Sequence, residues 1–287
     1  KSFSVFQEKM YRFPGFYVQR RSIRQYKHSI AAHVLGDVAE VSPSDIENDD
    51  YYIPGDYIGK QGVERSYEKQ LRGEKGIQIL LRDVHGRIKG SYMNGEHDRL
   101  PVPGKNLTLS IDYKLQALGE RLLEGKIGSI VAIDPQTGEV LAMVSAPSYD
   151  PRIMVGRSRS KNHRLLSRDA WKPLLNRSIM GMYPPGSTFK TSQALTYMTE
   201  GIVTPGTAFP CHRGFYCRGL HVGCHSHAAP ISLVDAISTS CNAYFCYVFR
   251  NIIENKKFKD VKEGLDHWVE YVHSFGFGRK LDSDFLD

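Results

Sequence analysis

No run of about 18 apolar residues occurs in the 287-residue sequence, so no stretch of it reads as a membrane span. It does not open on a signal peptide either, because Lys1-Ser2-Phe3-Ser4 leads into no apolar core. Cysteine is missing before Cys211, and all five cysteines follow from there. That distribution excludes a general disulfide framework and requires a local explanation. The formal net charge of +7 suits an acidic partner, yet no zinc-finger, RRM or helix-turn-helix signature accompanies it. Nucleic acid is therefore not expected as a partner. The densest basic group, Arg20-Arg21 with Arg24 and Lys27, reads as a solvated face. Internal repeats and low-complexity tracts are also lacking. No closing element follows Leu281-Asp282-Ser283-Asp284, and both ends are expected to be cut from a longer chain.

What remains is ordinary for a soluble globular protein: 41% hydrophobic and 24% charged residues, in a length that suggests two domains. Pro101-Val102-Pro103-Gly104-Lys105 is the best linker, which predicts domains over 1–105 and 106–287. In the first, Tyr11 to Val18 alternates around a turn, and Ser29 to Gly36 is a short apolar element stopped by glycine. Ser42 to Asp50 reads as a loop or short helix, and a helix is expected from about Val63 to Gly73. Gly76 to Leu81 is a strand candidate before a turn at Asp83-Val84-His85-Gly86-Arg87.

In the second part, Leu107 to Ile111 can form a strand. Asp112 can cap a helix bearing Leu115, Leu118, Leu122 and Leu123. Ile127 to Asp134 and Glu139 to Ala146 form the clearest hairpin, and Pro147 to Lys172 reads as a long basic loop. Helices are expected from Ser187, with Phe189, Ala194, Leu195 and Met198 buried, from Ser232, and from Val261 to about His273. The mixture predicts an α+β fold.

Two short motifs carry chemistry. On a helix, Ser187 and Lys190 share a face about 5–6 Å apart at Cβ, which sets a hydroxyl beside an amine able to take its proton. The helix start favours developing negative charge. Ser240-x-Asn242 follows between two apolar helical stretches: a serine that can relay a proton, and an amide that can both donate and accept. Alone, the first is as readily a cap with a solvated lysine and the second a polar turn. Together they match two of the three motifs S-x-x-K, S-D-N and K-T-G.

With this pair in place, the sequence resembles the class B penicillin-binding proteins, most of all the elongation-specific peptidoglycan D,D-transpeptidases. The resemblance also rests on Ala32-His33-Val34-Leu35-Gly36, Gly55 to Gly59, Gly62 to Glu68 with Leu71-Arg72-Gly73, Leu109 to Asp112, Ala132 to Ser145 and Tyr183 to Lys190. It implies a membrane-proximal pedestal domain followed by an incomplete, β-lactamase-like serine transpeptidase domain. It further implies Ser187 as the acylated nucleophile, Lys190 as its base, Ser240 as proton shuttle and Asn242 as ligand of the substrate amide. Peptidoglycan stem peptides and β-lactams would be the ligands, with no cofactor for catalysis. Membrane proteins of the elongation complex would bind the pedestal. The setting would be the periplasmic face of a bacterial inner membrane, reached through an anchor outside this sequence. No K-T-G occurs, so these residues by themselves are expected to acylate poorly, because that motif's strand contributes to the oxyanion hole. The rival readings are a β-lactamase or β-lactam sensor, and a non-catalytic scaffold of the same complex.

Cys211, Cys217, Cys224 and His227 make a zinc-like set, with His225 as an alternative ligand, in a role that would be structural. A Cys211–Cys217 or Cys217–Cys224 disulfide competes with it, as do unpaired thiols. Cys241 and Cys246 read as helix packing residues.

Overall fold

Glycine and proline set where the regular elements stop and start. The computed structural model describes residues 5, 8–13, 16, 23–84, 87–280 and 285. Much of the alternation at Tyr11 to Val18, the Arg20-Arg21 pair, His85-Gly86 of the expected turn and the end at Leu281 to Asp284 lie outside the described residues. The chain separates into two units, one reaching Met182 and the other covering Tyr183–Asp282. Residues 106–182 pack within the first.

In the first unit α1 (Ala32–Leu35) ends at Gly36 with φ 78°. A Cβ there would lie 1.8 Å from Gln61 O, so only glycine fits. Strand β1 (Val38–Glu40) pairs antiparallel with β2 (Tyr57–Gly59). Between them runs α2 (Pro43–Asn48), started by a reciprocal Ser42–Asp45 capping box. The expected helix near Val63 forms as two pieces, α3 (Gly62–Ser66) and α4 (Glu68–Leu71). The strand expected over Gly76 to Leu81 is shorter and later: β3 (Leu80–Arg82), paired with β4 (Ile88–Ser91).

Asp112 caps α5 (Tyr113–Leu122) by accepting from Leu115 N, as the sequence suggests. The leucines do not form the buried face, however. Leu115, Leu118 and Leu122 are exposed, while Gln116 and Gly119 are buried. Close approach to the neighbouring strand decides this, since a Cβ at Gly119 would meet Val144 at 2.8 Å. The hairpin forms as β5 (Gly128–Ile133) and β6 (Val140–Ala146). Leu107–Ile111 joins no ladder; Ser110 Oγ donates to Val140 O and Asp112 N to Leu141 O instead. The expected loop after Pro147 contains α6 (Arg159–Arg168), a helix with no buried residue that periodicity could have revealed, and α7 (Arg177–Met180) follows. At the start of α6, Arg159 pairs at 2.5 Å with the buried carboxylate of Asp37.

In the second unit α8 (Phe189–Thr199) is followed by the short strand β7 (Ala208–Phe209) and the hairpin β8 (Gly214–Cys217) and β9 (Leu220–Gly223). β10 (Ile231–Ser232) pairs with β7, and α9 (Leu233–Ser238) starts on the Ser232 cap. A break at residues 239–241 separates it from α10 (Asn242–Ile253), and α11 (Val261–Ser274) closes the unit. Tyr197, Tyr244, Val248 and Ile252 form the centre of the core. On α8, Leu195 and Met198 are exposed, and the buried face is Lys190, Ala194 and Tyr197. That i, i+4, i+7 stripe is not obvious from hydrophobicity, because its first member is a lysine.

Candidate active site

Ser187 lies in a 3-10 turn, Gly186–Thr188, that runs directly into α8, so the regular helix begins two residues later than the spacing suggests. Gly186 supplies the left-handed φ of 59° that starts the turn. One turn on, Lys190 points into the core and is buried. Its Nζ donates to three acceptors: Asn242 Oδ1 at 2.6 Å, Ser240 O at 2.7 Å and Ser240 Oγ at 3.0 Å. Ser240 Oγ in turn donates to Ser187 Oγ at 2.7 Å. The structure thus brings together all four residues singled out for catalysis and substrate binding.

Ser240 adopts φ 54°, a left-handed conformation costly for a residue with a Cβ. The break between α9 and α10 holds it there: Ser240 N donates to Ile237 O and Cys241 N to Ala236 O. Asn242 begins α10 and donates through Nδ2 to Gly223 O at 2.9 Å. Burial pushes the Lys190 ammonium down from its ordinary range, against the opposing charge of the Cys224, Cys241 and Cys246 sulfurs. A hydroxyl, a second hydroxyl and a desolvated amine in series can carry a proton from Ser187 to Lys190.

The cysteine set needs a correction. Ligand atoms of Cys211, Cys224, His227 and Cys241 lie within 4.8 Å of one another. Cys217 is not in this group; it ends β8 and packs on the core. His225 is outside it as well, its Nε2 bonded to Thr239 O. All five cysteines are free thiols. Cys241 escapes sequence reading because it looks like a helix packing residue and sits 14 positions past His227. In the fold it is fully buried at the N-cap of α10, where its Sγ accepts from Tyr244 N.

The donor set fits a zinc ion. A tetrahedral site with metal–sulfur bonds of about 2.3 Å has ligand–ligand edges of roughly 3.5–3.8 Å. Cys224 Sγ lies 3.4 Å from His227 Nε2, and the whole set lies within 4.8 Å, so the ligands would draw together slightly around an ion. His227 Nδ1 is 2.8 Å from Ala228 O. That contact orients the ring so that Nε2 faces the sulfurs, the arrangement typical of a metal-binding histidine. Burial pushes the Cys224 thiol up, but hydrogen bonds from Asn242 N–H, His227, Ala243 N–H and Cys241 bring it down to about 6. The start of α10 thus favours a thiolate.

A family profile described as the penicillin-binding protein transpeptidase domain matches residues 128–287, and one described as the penicillin-binding protein dimerisation domain matches residues 1–109. The chain belongs to the penicillin-binding proteins. Among curated relatives, the peptidoglycan D,D-transpeptidase MrdA of Acinetobacter baumannii is 35% identical over 97% of the chain and 40% of its own length. MrdA of Haemophilus influenzae is 31% identical over 93% of the chain and 41% of its own length. The chain therefore spans about two fifths of these relatives. Among solved structures, penicillin-binding protein PBP2 of Pseudomonas aeruginosa in complex with WCK 5153 superposes with a TM-score of 0.72 at 33% identity. That match covers 92% of the chain and 53% of the other. PBP2 of Helicobacter pylori, solved with MreC, has a TM-score of 0.81 at 26% identity, over 100% of this chain and 51% of that one. The pedestal-and-transpeptidase α+β architecture expected from the sequence is that of this family.

Proposed function

We propose that the protein containing these residues is a peptidoglycan D,D-transpeptidase that cross-links stem peptides through an acyl-serine and is a target of β-lactams. The observation that carries this reading is the series Ser187 Oγ, Ser240 Oγ, Lys190 Nζ, joined by contacts of 2.7 and 3.0 Å. With Lys190 neutral, the Ser187 proton passes to Ser240 as Ser240 passes its own to the amine, and Ser187 attacks the carbonyl of a D-Ala-D-Ala stem. The C–N bond breaks, D-alanine leaves with a proton, and the amine of a second stem takes the acyl group from the ester. Asn242 presents an amide to the substrate while anchored to Gly223 O. No catalytic cofactor is needed for this chemistry.

In this reading a boundary near residue 105 separates the partner-binding pedestal from the catalytic part; the two family profiles, over residues 1–109 and 128–287, support a division in that region. A complex of the Helicobacter relative with MreC supports elongation-complex membrane proteins as partners of the pedestal. The periplasmic face of the inner membrane follows from the same substrates. Within the catalytic part, Cys211, Cys224, His227 and Cys241 would hold a structural zinc, with no role in acyl transfer.

Labelling of the full-length protein with a fluorescent penicillin tests the assignment. The label should map to Ser187, vanish in Ser187→Ala and slow at least hundredfold in Lys190→Ala. A label retained in Ser187→Ala would remove the reading.

A further inference from the structure

We propose that the sulfur cluster is an oxidation site, at which a peroxide joins Cys224 to Cys241 as a disulfide. Three sulfurs lie within 4.8 Å of one another, and they differ in access. Cys211 and Cys241 are buried, whereas Cys224 is half-buried and opens the segment 224–228, which forms no helix or strand. An oxidant arriving from solvent meets Cys224 first. Cys241 is the sulfur of the group that hydrogen-bonds to Cys224, so the oxidised sulfur has a resolving partner without large motion.

The chemistry balances in two steps. The Cys224 sulfur attacks one peroxide oxygen, the O–O bond breaks, and Cys224–SOH forms with release of water. The Cys241 sulfur then attacks the Cys224 sulfur, the S–O bond breaks, and a second water leaves as the S–S bond forms. The two sulfurs together give up two electrons, which the peroxide takes up. Two of the four metal ligands are consumed, so a bound zinc ion would be released.

The site is next to the catalytic series through three links. Cys241 lies between Ser240 and Asn242; Gly223, beside Cys224, accepts from Asn242 Nδ2; and His225 is bonded to Thr239 O. Drawing Cys224 and Cys241 into bonding distance changes the tether that orients Asn242. The oxidised protein should therefore acylate more slowly, a consequence that rests on the acyl-serine reading above. The disulfide and the metal release do not.

The protein is tested in zinc-loaded form and after chelation, with stoichiometric hydrogen peroxide. Free thiols are counted in denaturant, zinc is followed with a chromogenic chelator, and non-reducing peptide mapping locates the bond. The thiol count should fall by two per chain, zinc should appear in step, and a Cys224–Cys241 peptide should dominate. Cys211→Ser should keep that peptide, and Cys224→Ser and Cys241→Ser should lose it. In the chelated protein the same peptide should form faster. An unchanged thiol count, a dominant Cys211–Cys224 bond, or Cys224 oxidised to sulfinic acid without cross-linking would each overturn the proposal. Zinc retained under peroxide would overturn it while leaving the metal reading intact. A chain that never binds zinc but forms the disulfide would support it and remove the metal reading.

Discussion

His33 is a single residue whose protonation the first unit should feel. It is buried, its Nε2 lies 2.8 Å from Pro173 O as a donor to that carbonyl, and Ser148 Oγ lies 3.4 Å from Nδ1. Burial pushes the imidazolium down to about 4 from an ordinary 6.5, the carbonyl of Pro173 opposing and the charge of Arg177 reinforcing the shift. Between those values the unfolded chain binds a proton that the folded chain does not. Stability from this group is therefore complete above about pH 6.5 and is lost as pH falls toward 4, by about 3 kcal/mol in full. Urea unfolding at pH 7.5 and 4.5 should show the loss, and His33→Gln should flatten the difference between the two. An equal slope in the variant would mean that other groups carry the pH response.

At the scale of elements, the contact of α5 with β6 depends on one amide. Gln116 Oε1 accepts from Met143 N at 2.8 Å, and its Nε2 donates to Met143 O and Glu120. Replacing it with leucine strands the partly buried N–H and C=O of Met143, which should cost about 1–3 kcal/mol, read from the shift in the urea midpoint. Sequence reading identified α5, its Asp112 cap and the β5–β6 hairpin, because caps and tight turns are written in local residue types. The leucines it noted on α5 do not mark the buried face, since a glycine and a glutamine look like the solvent side until the strand they approach is known. The same limit applied to α8. The four residues that the fold brings together at the candidate site were legible because each motif is short and contiguous. The third sulfur of the Cys/His cluster was not, because a cysteine inside Ser240-x-Asn242 joins that cluster only when the fold brings Cys211 and Cys224 back to it. The basic helix α6 lacks a buried face altogether, so no period betrays it.

At the scale of the whole molecule, the two units should respond differently to metal. Protein purified without chelator should contain one zinc per chain by elemental analysis. Its removal should lower the melting temperature of the second unit while leaving unfolding of the first unchanged, as followed by hydrogen exchange. Absence of zinc from such protein would discard the metal reading. The same four residues have an entropic side. The set reaches from Cys211 to Cys241, enclosing two hairpin strands, the β7–β10 pairing partner and the whole of α9. A link across that span closes a loop of roughly 30 residues, which in a chain-entropy account restricts the unfolded state by about 3–4 kcal/mol. The link would act as a folding constraint on the segment that delivers Ser240 and Asn242, and a chain lacking it would have to find that left-handed turn unaided.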